Sequence, residues 1–218
     1  LYEAVDFRYR EIDGDIELSA EYGKGLGIQE RLQERKNPVT SMDMVVYAPT
    51  NLKVRVWTVE GSVRVKSWSS SVEARTSSGR IEIQDVRSDG ISLLCPACEM
   101  SVKDVQAPVR CMGGTGKIEL DSVAGSNVYV ESSTGDQRLH GVKGEQLYVS
   151  KKGSIFGRSL KGRVEFSSQA GTIDIGDSAG FVSGRTETGN IQLKMVEWKF
   201  ADKALVEVPS PFEGVLTR

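Results

Sequence analysis

Apolar residues recur along most of this chain in short alternating runs that return about every 18 residues. The runs start at Val54, Val72, Ile91, Val109, Val128, Leu147, Val164 and Val182. The residue two places after each start is again apolar or small, and the residue between them is mostly polar or charged. Period-two alternation over a few residues is typical of a short strand with one buried face. The pattern therefore predicts eight such strands, spaced 17–19 residues apart.

A glycine occupies the seventh position after the start in most of these units. The glycines in this column are Gly61, Gly79, Gly116, Gly135, Gly171 and Gly189. Cys98 stands there in the third unit, and Gly153 falls one place early in the sixth. A glycine at a fixed offset indicates a corner where the backbone needs a positive φ. A second alternating segment follows the corner, as in Ile81–Ile83, Ile118–Leu120, Ile173–Ile175 and Ile191–Leu193.

Two strands with their corners in about 18 residues make one coil of a parallel β-helix. One coil cannot bury its apolar face alone, so successive coils stack about 4.8 Å apart. We predict an all-β fold: a single-stranded parallel β-helix, or solenoid, of about eight coils of 17–19 residues with a right-handed turn. A β-sandwich needs no glycine at a fixed offset, and a β-propeller needs about 40 residues per blade.

The two ends of the repeat are predicted to be caps, because bare strand edges promote aggregation. Residues 1–53 are assigned to N-terminal strands and a cap, residues 54–196 to the β-helix repeats, and residues 197–218 to a C-terminal cap, all in one continuous domain. The run Val206–Pro209 resembles the segment Val45–Pro49 that precedes the first coil. The C-terminal end is therefore either a cap strand or the start of a further unit.

The N-terminal segment contains a hairpin signal. Phe7–Arg10 and Asp15–Leu18 read as strands on either side of Asp13–Gly14, a pair of residues typical of a tight β-hairpin. A polar loop follows, with a helical turn at Ile28–Lys36. Met42–Tyr47 is predicted to be a strand that leads into the first coil.

Composition excludes several classes of function. The 218 residues carry 28 Lys+Arg and 30 Asp+Glu, and a formal net charge of −2 does not provide the basic surface that nucleic-acid binding needs. A single His rules out sites built on two histidines, and we expect neither a cofactor nor a bound metal. No segment approaches the roughly 18–20 apolar residues of a membrane span.

Cys95 and Cys98 form a CxxC pair at the corner of the third coil. Such a pair can close a disulfide, bind a metal or exchange thiols. Zinc needs about four ligands, and Cys111, the remaining cysteine, is assigned to an inward position on the next strand. We expect a structural disulfide; reduced thiols without a role and a redox or metal site are the alternatives.

A weak polar strip is predicted along one corner. Asp85 and Asp104 are expected in register, and Asp121 and His140 in register one place earlier. Enzymes that cleave polysaccharides on a β-helix need clustered acids and bases, whereas the outward columns here have mixed signs. His140 beside Asp121 is either an oriented base or part of a solvated corner. We assign no catalytic residue and expect that the protein is not an enzyme.

A partly apolar patch is predicted on the outer surface of the first strands. In the predicted register Tyr129 and Tyr148 share one outward column and stack on adjacent coils, next to Arg110. Leu94 and Met112 are outward and adjacent two places further along. Aromatic residues with arginine are common in binding surfaces, and stacked rings suit sugars. The alternative is that high β-propensity alone explains these residues and a loop covers them.

A recurring motif follows the segment Val46–Val56, which leads into the first coil. It has the form apolar-x-apolar-x-Thr/Ser-x-x-Gly-x-Ile-x-apolar and is visible in Arg75–Ile83, Ser132–Gly135 and Glu187–Ile191. Over residues 40–196 the pattern resembles a family of bacterial domains of unknown function described as adhesins. The resemblance implies a β-helix with no established enzymatic site in an envelope or secreted protein. The CxxC insertion departs from the family pattern.

We therefore expect a non-enzymatic β-helical surface protein of the bacterial envelope, acting as an adhesin or scaffold. Its partner is unknown, with a glycan or an envelope protein as the candidates. One alternative is a carbohydrate-active β-helix enzyme, against which the absence of an acid cluster argues. A second is a self-assembling scaffold similar to bactofilins, against which the flanking caps argue.

Overall fold

The computed structural model describes residues 45–194 in full. Beyond them it describes the backbone of four strands, Val5–Ile12, Asp15–Tyr22, Ala204–Glu207 and Val215–Thr217. The chain divides into two compact units, Leu1–Lys53 and Val54–Arg218.

The N-terminal unit contains an antiparallel hairpin. Strand β1 (Val5–Ile12) pairs with strand β2 (Asp15–Tyr22) along its whole length, and two residues connect them. This arrangement confirms the hairpin predicted around Asp13–Gly14. The helical turn predicted at Ile28–Lys36 lies outside the described residues.

The strand predicted over Met42–Tyr47 is wrong for the part that the structure describes. Residues 45–49 have no strand conformation, and the amide of Leu52 closes a turn by donating to the Pro49 carbonyl at 3.2 Å. An alternating segment becomes a strand only where a neighbouring strand completes its hydrogen bonds, and residues 45–49 pair with none of the described strands.

The second unit is a parallel β-solenoid. Its fifteen described strands are linked by hydrogen bonds into one continuous system, in which every pairing is parallel. The strands are β3 (Val54–Trp68), β4 (Val72–Arg87), β5 (Ile91–Cys95), β6 (Ala97–Gln106), β7 (Val109–Gly113), β8 (Ile118–Ser132), β9 (Gln137–His140), β10 (Lys143–Ser150), β11 (Ile155–Arg158), β12 (Lys161–Ala170), β13 (Ile173–Gly176), β14 (Ala179–Thr188), β15 (Ile191–Lys194), β16 (Ala204–Glu207) and β17 (Val215–Thr217). This confirms the predicted all-β solenoid of about eight coils. The right-handed turn stays a prediction.

Each coil contributes to two parallel ladders, called here the first sheet and the second sheet. The first sheet aligns the start positions Val54, Val72, Ile91, Val109, Val128, Gln146, Val164 and Val182. The second sheet aligns Val63, Ile81, Met100, Ile118, Gln137, Ile155, Ile173 and Ile191. The inward side chains of both sheets fill one continuous apolar core between them.

The prediction for the sixth coil is wrong by one residue. Gln146, not Leu147, aligns with Val128, and this shift reverses the face of each side chain from Gln146 to Ser150. Gln146 is buried, and its burial is tolerated because its amide nitrogen donates a hydrogen bond to the carbonyl oxygen of Lys161 at 2.9 Å. A buried amide with its hydrogen bonds completed is acceptable in a core, so an apolar residue was not required there.

The predicted column of glycines lies at the corner between the two sheets, but the predicted reason, a positive φ, applies to only some of them. Gly61, Gly79 and Gly171 have a positive φ, but Gly135 does not. At Gly135 an added Cβ would lie 1.9 Å from the carbonyl oxygen of Gly116 on the preceding coil. Close approach of successive coils therefore requires glycine even where the backbone conformation does not.

A second corner follows the second sheet, and the residues that share one register position there have a left-handed backbone conformation. Six residues other than glycine have a left-handed φ of 52–56° there, namely Ser67, Asp85, Asp104, Ser122, Ser159 and Asp177. Gly141 continues the column with a φ of 62°. Aspartate tolerates this conformation better than most residues because its short side chain hydrogen-bonds locally.

Strands β16 and β17 extend both ladders beyond residue 194. Ala204 aligns with Val182 in the first sheet, and Val215 aligns with Gln192 in the second. The segment assigned to a C-terminal cap thus begins a further coil, which is one of the two arrangements that the sequence allowed.

Candidate functional site

The outer surface of the first sheet, called here the first face, carries arginine and aromatic side chains. Its row beside the start positions reads Arg55, Glu73, Ser92, Arg110, Tyr129, Leu147, Glu165 and Ser183. The next outward row reads Trp57, Arg75, Leu94, Met112, Glu131, Val149, Ser167 and Arg185. Successive residues of a strand point to opposite faces, so these two rows define one continuous surface.

A central patch lies in the middle of the first face and consists of Leu94, Arg110, Met112, Tyr129 and Leu147. Leu94 is in register with Met112, and Tyr129 lies between Arg110 and Leu147. Both leucines are 37% exposed, whereas the inward leucines Leu93, Leu120, Leu139, Leu160 and Leu193 are buried. The structure thus brings together four of the five residues predicted for a patch here and adds Leu147.

Tyr148 is the fifth predicted residue, and its assignment to the patch is wrong. Its side chain is fully buried, and its ring stacks on Phe166 with the centroids 5.3 Å apart. Its hydroxyl donates to Oε1 of Gln146 at 2.8 Å, and burial raises the pKa of Tyr148 well above its usual value. The sequence did indicate that Gln146 is the start position of this coil, because Gly153 lies seven residues after it, the offset of the corner glycine in most other coils.

Tyr129 is held at the surface by two contacts. Its hydroxyl donates to Oε2 of Glu131 at 2.7 Å, and the guanidinium carbon of Arg110 lies 5.3 Å from the ring centroid. The hydrogen bond to the Glu131 carboxylate, helped by partial burial, raises the pKa of Tyr129. The ring is therefore fixed in place, with a cation over one of its faces.

The same arginine–aromatic contact occurs at two other places on the first face. The guanidinium of Arg75 lies 5.6 Å from the ring centre of Trp57, and that of Arg163 lies 5.1 Å from the ring centre of Phe181. In each case the two residues are in register on adjacent strands. Arg75 also forms an ion pair with Glu73, and Arg163 forms one with Glu165.

The outer surface of the second sheet, called here the second face, carries several ion pairs. Arg64 contacts Glu82 at 2.6 Å, and Arg80 bridges Glu82 and Glu99. The bonds from Arg64 and Arg80 lower the pKa of Glu82. Further along, Lys117 contacts Glu119 and Arg158 contacts Asp174. A surface hollow here is lined by Lys103 and by the mutually paired Arg80, Glu82, Glu99, Lys117 and Glu119.

The polar strip has the register that the sequence predicted. Nδ1 of His140 lies 3.0 Å from Oδ1 of Asp121, and the hydroxyl of Ser122 donates to the same oxygen at 3.1 Å. The bond with His140 holds the pKa of Asp121 below its usual value. Asp85 and Asp104 lie side by side in the left-handed corner, where Asp85 accepts a hydrogen bond from the hydroxyl of Ser67 at 2.9 Å.

Among the described residues, the polar strip provides no group of ligands that would hold a metal ion. Within residues 45–194 no three His, Cys, Asp or Glu side chains come together in a way that would hold a metal ion. The Ser122 hydroxyl donates to Asp121 and not to His140, whereas a nucleophilic serine needs its hydrogen bond to the histidine.

The cysteines of the third coil form a disulfide. Cys95 and Cys98 are bonded, with their Cα atoms 5.6 Å apart, and both are buried. Cys98 occupies the corner position that other coils give to glycine, in register with Gly79. Cys111 is a free and fully buried thiol, and desolvation raises its pKa to about 12. It is therefore protonated at neutral pH and packs as a small apolar residue.

Fold and surface together define a class: a parallel β-solenoid with an arginine–aromatic face on one sheet and an ion-paired face on the other. The chain belongs to the Toastrack DUF4097 family, whose sequence model matches residues 15–201. No curated protein and no solved structure matches the chain. In the described part of the chain there is no helix with the length and apolar character needed to cross a membrane.

Proposed function

We propose that this solenoid is a non-catalytic binding scaffold whose first face holds a partner. The central patch supports this proposal, because it combines tyrosine, arginine and methionine with two partly exposed leucines. Aromatic residues, methionine and arginine are the types enriched in the cores of protein interfaces. On the second face, by contrast, Glu82, Glu119 and Asp174 are already bonded to arginine or lysine.

The arrangement of acidic groups favours binding over catalysis. Glycoside hydrolysis needs two carboxyl groups facing one bond, one of them with a raised pKa. The carboxylates on the second face contact arginine or lysine, and the pKa values of Glu82 and Asp121 are lowered. A carboxyl group with a lowered pKa is ionised at neutral pH and is a poor proton donor.

An envelope or secreted location forms part of the proposal. A disulfide persists mainly in oxidising compartments such as the periplasm or the extracellular space. The Cys95–Cys98 bond supports such a compartment, and so does the resemblance to bacterial adhesin domains. An adhesin or a surface scaffold combines this location with a binding face on a rigid rod.

The test is to probe arrays of glycans and of envelope proteins with the full chain and with two variants. Tyr129→Ala removes the ring at the centre of the first face, and Phe156→Ala removes an outward ring from the second face as the matched control. We expect an array signal that Tyr129→Ala abolishes and Phe156→Ala leaves unchanged.

Other outcomes of the same experiment contradict the proposal. Release of reducing sugar from the glycans identifies an enzyme. Light scattering that rises with concentration, with no ligand present, identifies a self-assembling scaffold. Equal signals from both variants place binding elsewhere on the molecule.

A further inference from the structure

Arg110 differs from the other arginines that lie over aromatic rings on the first face. Arg75 and Arg163 each form an ion pair with a glutamate two residues away in their own strand. The residues two places from Arg110 are Pro108 and Met112, which have no carboxylate. Within residues 45–194, Arg110 forms no ion pair with an acidic side chain.

Glu131, which lies beside the central patch, already has a hydrogen-bond partner. Glu131 accepts the hydroxyl hydrogen of Tyr129 at 2.7 Å, and this bond draws the glutamate toward the phenol. Arg110 is left exposed, with its guanidinium over the ring of Tyr129 and without an ion pair to an acidic side chain of residues 45–194. A guanidinium group presents five donors in a planar fork that matches a carboxylate.

The surroundings of Arg110 favour an anion that brings apolar surface with it. Leu94 and Met112 lie two places further along their strands, Leu147 lies beyond Tyr129, and all three are only partly buried. An apolar side chain placed on these residues excludes water, and exclusion of water strengthens a charged hydrogen bond beside it. A single negative charge fits best, because Glu131 lies close by and repels a dianion.

The ring of Tyr129 is less suited to a sugar than its exposure suggests. Sugar rings bind aromatic side chains face to face, and Arg110 already covers one face of this ring. The neighbouring residue in the row, Leu147, lies on the other side. The patch thus offers a cation and apolar side chains, which is the complement of an acidic protein segment and not of a neutral glycan.

From this geometry, and building on the proposed binding function, we propose that the central patch docks an acidic protein segment. Arg110 binds an aspartate or glutamate carboxylate of the partner through paired hydrogen bonds. Leu94 and Met112 receive an apolar side chain adjacent to that acid.

A displayed random peptide library, selected on the full chain, tests this proposal. We expect the selected peptides to share an Asp or Glu next to Leu, Ile, Met or Phe. Replacing that acid by its amide should weaken binding by about 10- to 100-fold, as expected for a lost hydrogen bond to a charged group. Arg110→Gln should weaken binding equally, and Arg110→Lys should restore it only in part because lysine lacks the planar fork.

Arg163→Gln is the matched control, since it removes an arginine from the same face that lies over Phe181 and already has a glutamate partner. This variant should bind the selected peptides as the wild type does, and circular dichroism should show all variants folded. Failure to select any peptide, selection without acidic residues, or equal binding by Arg110→Gln overturns the proposal. Sedimentation that shows a wild-type dimer and an Arg110→Gln monomer overturns it too, by assigning the patch to a second copy.

The outcomes separate this inference from the proposed function. If Tyr129→Ala abolishes binding of an array ligand and Arg110→Gln does not, the first face is a binding surface but the acidic partner is wrong. If both variants keep full binding, the first face itself is not the site.

Discussion

Tyr129 and Tyr148 are one residue type on neighbouring coils, yet their rings contribute to different properties. The Tyr148 ring is fully buried against Phe166, and its hydroxyl is bonded to Gln146. The Tyr129 ring lies on the surface with Arg110 and Glu131. Loss of the first ring should therefore affect stability, and loss of the second should affect binding.

Tyr148→Ala should lower the free energy of unfolding by about 3–5 kcal/mol, the usual cost of removing a buried aromatic ring. Tyr129→Ala should lower it by about 1 kcal/mol or less, because a surface side chain leaves no cavity. Denaturant unfolding followed by circular dichroism measures both. Equal losses would show that the two rings lie on the same face, contrary to the register of the sixth coil.

Asp121 gives a pH dependence with a defined sign. Its bond with His140 lowers its pKa in the folded state, so the stabilisation is present above the unfolded-state pKa of about 3.9 and is lost as the pH falls through the folded value. The wild type should exceed Asp121→Asn by less than about 1 kcal/mol near pH 6, because both side chains are well exposed, and the difference should shrink on acidification.

Urea denaturation at a series of pH values checks this expectation. Asp177→Asn, which removes a carboxylate from an exposed residue of the left-handed corner, serves as the matched control. A difference between wild type and Asp121→Asn that grows toward low pH would contradict the sign.

The error at the sixth coil shows what residue types alone can predict. Hydrophobicity favoured Leu147 over Gln146 as the inward residue, and the true choice depends on a hydrogen bond from Gln146 to the Lys161 carbonyl on the next coil. Such a bond involves a residue distant in sequence and leaves no local signature. The position of Gly153 did carry the answer, because backbone crowding at the corner is less tolerant than burial of an amide.

At the scale of a single coil, the corners restrict which residue types can occupy a position. The column of corner glycines was predictable from spacing, whereas the left-handed column from Ser67 to Asp177 was not. Serine and aspartate in that column look like ordinary solvated residues until the backbone conformation is known. The register of Asp121 with His140 could be predicted because it depends only on coil length.

Gly135→Ala should lower the free energy of unfolding by about 1–3 kcal/mol or more, since the new Cβ meets the Gly116 carbonyl and forces two coils apart. Gly90→Ala is the matched control: its Cβ meets no atom within 4 Å, and its stability should change by about 0.5 kcal/mol or less. Thermal and urea unfolding of the two variants measure both changes in the free energy of unfolding. A tolerated Gly135→Ala would show that the stacked corner can relax.

The disulfide at the corner of the third coil should stabilise that coil modestly. It closes a very short loop, for which the chain-entropy estimate is about 2 kcal/mol. Reduction should lower the melting temperature by roughly 4–8 °C, and the double variant Cys95→Ser/Cys98→Ser should be insensitive to reductant. Calorimetry with and without reductant measures this. An unchanged melting temperature in the wild type would show that the packing of the corner does not need the bond.

At the scale of the whole molecule, stability is expected to vary along the rod. Each coil contacts only its neighbours, so a coil with one neighbour has less support than a coil with two. The inward residues Val54 and Val56 of the first coil are partly exposed, whereas Val128 and Val130 of the fifth are fully buried.

Hydrogen exchange followed by mass spectrometry should therefore show slower exchange in β8 and β10 than in β3. The difference should reach at least about tenfold, the effect of 1.4 kcal/mol in local opening. Uniform protection from β3 to β14 would instead indicate that the rod unfolds as a single cooperative unit.

The packing inside the sixth to eighth coils limits which changes of sequence the solenoid can accept. Along one inward column Tyr148 stacks on Phe166, and the next residue in register is Gly184, which has no side chain at all. Each coil is thus shaped to its own two neighbours although all coils have nearly the same length. Duplicating, deleting or exchanging whole coils here would bring mismatched volumes together. Variation of the outer surface is therefore confined to single outward side chains, altered one position at a time on a fixed order of coils.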